Sequence, residues 1–118
     1  MVLADTSVWI QHFRRGEPKL ARHLADGLVL MHPFVLGELA CGNLKGRAEI
    51  LSDLRELPSA KPASTAESLR LLEDRRLWGR GLRWIDVHLL ASALLSDCAF
   101  RTLDKKLARV VAELGLSA

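Results

Sequence analysis

Residues 1–10 read MVLADTSVWI. MVLAD (1–5) has the length and apolar content of a short buried strand, and TSVWIQHF follows with the apolar spacing of a helix that Gly16 stops. Strand and helix meet at Asp5, the only formally charged residue before Arg14. That carboxylate is either a helix cap or a ligand. Thr6 or Ser7 can cap the helix, which leaves Asp5 free for the second role.

The alternation continues outward from this stretch. EPKLARHLAD (17–26) reads as a helix, LVLM (28–31) as a second apolar strand, and Pro33 suits the first turn of a helix carrying FVLGELACG (34–42). GRAEILSDLREL (46–57) is an amphipathic helix ending before Pro58, and KPAS (61–64) is a candidate edge strand. TAESLRLLEDRRLW (65–78) is helical until the glycines of GRG (79–81), and RWIDVHLLASALL (83–95) is the next helix. CAFRTL (98–103) reads as a strand and DKKLARVVAEL (104–114) as the closing helix, with Gly115 at its C-cap. Short apolar strands separated by helices predict an α/β fold, a mostly parallel sheet with helices on both faces. Ligands in such sheets gather outside the carboxyl ends of the strands.

The 118 residues suit one compact domain, and 49% hydrophobic content is ample for a core. Lys and Arg number 17 against 14 Asp and Glu, a net charge of +3 that permits nucleic-acid binding without demanding it. Cys41 and Cys98 match no paired metal or redox spacing and read as reduced packing residues. Apolar runs such as HLLASALL are too short to span a bilayer, and the N-terminus lacks a signal-peptide layout. A soluble cytoplasmic protein with no membrane association is expected.

Four acids stand in unusual places. Asp5 and Asp104 lie at the carboxyl ends of the first and last predicted strands. Glu38 is the only formal charge between Asp26 and Lys45, with Phe34, Val35, Cys41 and Gly42 as its helical neighbours. Asp86 is the only one between Arg83 and Asp97, on a face shared with Leu89, Leu90, Ala93 and Leu94. An ionised carboxylate held away from water costs several kcal/mol unless it is compensated, and the nearest sequence cations do not obviously serve all four. Clustered carboxylates without a His or Cys pattern suit a hard ion, Mg2+ or Mn2+, which can activate water for attack on a phosphodiester. The bland alternative is capping for Asp5, Asp86 and Asp104, each near a helix start, and simple exposure for Glu38.

DTSVWI, the lone acid of FVLGELACG, WIDVHLLASALL and TLDKKL, in that order along nearly the whole chain, resemble the PIN-domain ribonucleases, and among them the VapC toxins of VapBC toxin–antitoxin pairs. The resemblance implies a single PIN domain over residues 1–118, a three-layer α/β/α sandwich with a short, mostly parallel sheet of 4–5 strands and about seven helices. It also implies that Asp5, Glu38, Asp86 and Asp104 are the catalytic quartet that holds Mg2+ or Mn2+. Thr6 matches the hydroxyl residue after the first acid, and Thr102, two before Asp104, projects from the same strand face. Both are candidates to support the metal site, with capping and sheet pairing as their other roles. The implied activity is metal-dependent hydrolysis of RNA by a toxin, with a homodimer and a VapB-like antitoxin as partners. Two departures are visible: the sequence reaches GLSA where relatives have a last short strand, and Leu103 replaces a polar or basic residue.

Arg80 and Arg83, in the WGRGLRW loop that leads to Asp86, are the leading RNA contacts; most other basic residues read as solvated helix faces. Trp78 and Trp84 fit core or dimer packing better than base stacking. His12, His23, His32 and His88 share no ligand spacing and receive no catalytic role. Rival readings are a PIN nuclease of RNA processing without a toxin role, a catalytically inactive nucleic-acid-binding module, and a receiver-like or phosphatase-like domain. Against the last, Ser7 stands where a phosphatase would place its second Asp.

Overall fold

A computed structural model describes residues 1–118. The elements run β1 (Val2–Ala4), α1 (Thr6–Arg15), α2 (Pro18–Ala25), β2 (Val29–Leu30), α3 (Pro33–Cys41), α4 (Arg47–Arg55), α5 (Thr65–Asp74), α6 (Trp84–Leu95), β3 (Ala99–Arg101) and α7 (Lys105–Glu113). The sheet has the order β2-β1-β3, all parallel, with Leu3 beside Leu30 on one side and Phe100 on the other. Val2, Leu3 and Ala4 are 2%, 0% and 0% exposed. Successive strand side chains point to opposite faces, so a strand buried at every residue must be covered on both. The seven helices supply that cover, which makes an α/β sandwich.

The sheet holds three strands where 4–5 were expected. KPAS forms none. The chain there meets the sheet only at the single bridge Met31–Ser59, where Met31 N–H donates to Pro58 O and Ala60 N–H to Met31 O. Pro58 and Pro62 lack amide protons. The amides that a longer strand would have used go instead to α6 and its C-cap, Ala63 N–H to Ser92 Oγ (2.9 Å) and Lys61 N–H to Ser96 Oγ (2.8 Å). The last short strand is likewise reduced to one bridge, Phe100–Ser117.

A core of 24 buried residues joins the strands to Val8, Trp9, Leu20, Val35, Leu89, Leu107 and Val110. Every residue of α6 from Asp86 to Ala93 is buried, as expected of a helix apolar on all sides. At the edge of this core Glu17 caps α2, accepting from Leu20 N–H at 2.7 Å, and accepts from Nε and Nη2 of Arg101 at the end of β3. Burial by itself would raise the Glu17 pKa, but the bonds from Arg101 and Leu20 outweigh it and hold the carboxyl below its usual range. No helix is long and apolar enough to cross a membrane.

Candidate active site

The carboxyl ends of β1 and β3 deliver Asp5 and Thr102 to one place. Asp5, 4% exposed, is itself the N-cap of α1, which corrects the expectation that Thr6 or Ser7 would do that work. Its Oδ1 accepts from Val8 N–H (3.3 Å) and from the Ser7 hydroxyl (2.5 Å), and its Oδ2 from the Thr102 hydroxyl (2.5 Å). The extended backbone at Asp5 aims the side chain along the helix axis, so capping and convergence on the site are the same geometry. Burial raises the Asp5 pKa; the bonds from Ser7, Thr102 and Val8 oppose this, and the negative charge of Asp86 adds to it. The carboxylate is therefore held in a place that disfavours its own charge.

Thr6, the first residue of α1, turns outward from the cap and donates to Glu38 Oε1 at 2.6 Å. That bond joins α1 to α3. Asp86 opens α6, where its Oδ2 accepts from Arg83 N–H (2.9 Å) and its Oδ1 from Arg83 Nη2 (3.2 Å). The same guanidinium lies 3.5 Å from Glu38 Oε2. Arg83 thus stands between Glu38 and Asp86, and the charge of Asp5 acts on it as well. A cation three residues before Asp86 thus compensates part of the cluster, Glu38 and Asp86, though not all four acids. The local sequence placed Arg83 in a loop, and only the packing of α3 beside α6 brings Glu38 to it.

Asp104 stays at the margin. It is exposed, caps α7 by accepting from Leu107 N–H (3.0 Å), and joins the others only through Thr102, whose Oγ accepts from Asp104 N–H at 3.0 Å. Ser7, which the sequence reading treated only as a cap candidate, links Asp5 to the backbone amide of Leu103 at 3.1 Å. Arg80 points elsewhere: both terminal nitrogens bind Glu113 of α7, at 2.6 and 2.8 Å. Trp78 and Trp84 are 56% and 44% exposed, so neither packs in the core. The rings of Trp84 and Phe34 both meet the buried ring of His88 in T-shaped contacts.

The donor set is all oxygen, and two acids from distant parts of the chain, Glu38 and Asp86, share one cation on which the charge of Asp5 also acts. That chemistry fits a hard dication. In this arrangement no three acidic, imidazole or thiol side chains close on a common point, and the guanidinium serves as the cation among them.

The family model for the PIN domain matches residues 2–113. Two curated relatives, each called Ribonuclease VapC32, come from Mycobacterium tuberculosis strains CDC 1551 / Oshkosh and ATCC 25618 / H37Rv. Each is 42% identical over 118 residues, an overlap of 99% of this chain and 95% of the relative.

Proposed function

The chain belongs to the PIN-domain family, and we propose that it is a divalent-metal-dependent endoribonuclease, the toxin of a VapBC-type toxin–antitoxin pair. One observation carries the reading: Glu38 and Asp86, from α3 and α6, share the Arg83 guanidinium, and Asp5, at the β1–α1 junction, lies near enough for its charge to act on both Asp86 and Arg83, with hydroxyl and amide donors fixing all three acids. The name ribonuclease carried by both relatives supports the substrate.

Asp5, Glu38 and Asp86 would hold Mg2+ or Mn2+, with Asp104 at the outer edge. When bound, such an ion lowers the pKa of a water and neutralises charge on the leaving oxygen of a phosphodiester. The chain supplies orientation. Thr102 and Ser7 fix both oxygens of Asp5, Thr6 fixes Glu38, and the Arg83 amide fixes Asp86. Arg83, its side chain 62% exposed, is placed to take a phosphate oxygen once the acids have a stronger cation. The same reading gives the protein a VapB-like antitoxin and a homodimer. The exposed aromatic pair Phe34 and Trp84, 41% and 44% exposed on either side of His88, supports such a covered surface.

The purified protein should cut RNA with Mg2+ and not with EDTA. Asp5→Asn keeps an acceptor for Val8 N–H, so it should fold normally and lose cutting. Full activity in that variant would refute the mechanism.

A further inference from the structure

Away from the acids, a hollow of about 460 Å³ opens between the 79–81 turn and α7. Gly79, Arg80, Gly81, Lys106 and Arg109 line it, with no apolar side chain in the wall. Arg80, Lys106 and Arg109 bring three cations to its wall. Glu113 holds Arg80 in a two-point pair, whereas Lys106 and Arg109 make no ion pair. Those two stand three residues apart on α7 and therefore on one face.

Lys106 lies against the turn. A Cβ on Gly81 would lie 2.9 Å from Lys106 Cδ and 3.1 Å from Nζ, and the φ of +79° at Gly81 is itself one that a side chain resists. The bare glycine lets the lysine lie against the turn with its ammonium in the hollow. Both walls run into the acid cluster. Arg80 precedes by three residues Arg83, which touches Glu38 and Asp86, and Lys106 follows by two Asp104, whose amide binds Thr102.

We infer that this hollow binds a backbone phosphate of the RNA strand beyond the scissile position, with Lys106 and Arg109 as its donors and Arg80 held in place by Glu113. An all-donor wall without apolar surface matches an isolated anionic group; a peptide segment would call for apolar contact as well. The inference rests on the ribonuclease reading, and it makes binding depend on strand length, because a strand too short to span acids and hollow loses this contact.

The test is anisotropy of labelled single-stranded RNA, a dodecamer and a trimer, in EDTA so that nothing is cut. Lys106→Ala with Arg109→Ala should weaken dodecamer binding about tenfold and lower the slope of log affinity against log salt by about 0.7, the share of one phosphate. Trimer binding should change little. Gly81→Ala should weaken the dodecamer in the same direction with no change of charge. The control pair Arg70→Ala with Arg75→Ala, exposed on and after α5, removes equal charge elsewhere. Equal weakening by the control pair, or equal weakening for both RNA lengths, overturns the inference. Displacement of the dodecamer by a polyglutamate peptide as effectively as by unlabelled RNA also overturns it. Mg2+-dependent cutting is measured in parallel: cutting with an inert hollow leaves the ribonuclease reading intact, and length-dependent binding without cutting removes that reading alone.

Discussion

Lowering the pH from 7.5 to 5 should remove about 2 kcal/mol of stability through one buried imidazole, His32. This residue is 1% exposed and stands at the N-cap of α3, where Nδ1 accepts from Phe34 N–H at 2.9 Å. Nε2 must then carry the proton and donate to Ser92 Oγ of α6 at 3.0 Å. Burial, with a smaller push from His88, lowers its pKa from 6.5 to about 4. The folded pKa is depressed, so the stabilisation is complete above 6.5 and is lost as pH falls towards 4. A shift of roughly 2.5 units corresponds to a limit of about 3.4 kcal/mol, of which about 2 is gone at pH 5. Protonation also removes the acceptor for Phe34 N–H and so uncaps α3, the helix that carries Glu38. Urea unfolding at the two pH values should show the midpoint falling by about 1.5 M in the native protein. His32→Asn keeps an N-cap acceptor and cannot titrate, so its midpoint should move much less. Equal pH shifts in both proteins would refute the reasoning.

Two other perturbations separate charge from architecture. Arg83→Gln leaves Glu38 and Asp86 without their shared cation; because Arg83 is 62% exposed, the loss in EDTA should be near 1 kcal/mol, a fall of about 4 °C in Tm by circular dichroism. Saturating Mg2+ should close that gap by stabilising the variant more than the native protein, and equal stabilisation of both would count against a shared cation position. Glu17→Gln strips the partner from Arg101, itself only 18% exposed, and should cost about 2–4 kcal/mol in denaturant unfolding. Since the folded Glu17 pKa lies below its reference of 4.5, its contribution is present above that pH and fades as pH drops through the folded value. Stability of the variant should accordingly vary less across the acid limb, and an unchanged limb would show that the pair does not govern it.

Much of the fold was legible because its signals are local. The apolar run ending at Ala4, the helical spacing after it, and the prolines and glycines that bound α2 and α3 depend on neighbours a turn away. Glu38 and Asp86 stood out for the same reason, as lone charges on apolar helices. The fourth strand was misread because KPAS has strand-like flanks, while the acceptors that took its amides, Ser92 and Ser96, lie some thirty residues further along the chain.

The sequence by itself determined the α/β alternation and which acids are isolated enough to matter. Only the tertiary structure decided who their partners are. Thr6 reaches Glu38 across 32 residues, Thr102 reaches Asp5 across 97, and Arg83 becomes the shared cation of Glu38 and Asp86 when α3 packs beside α6. It also turned Arg80 from a free RNA contact into one arm of a pair with Glu113. Periodicity is set by backbone geometry within a few residues, whereas the compensation of a buried charge is set by whichever donors the packed core carries to it.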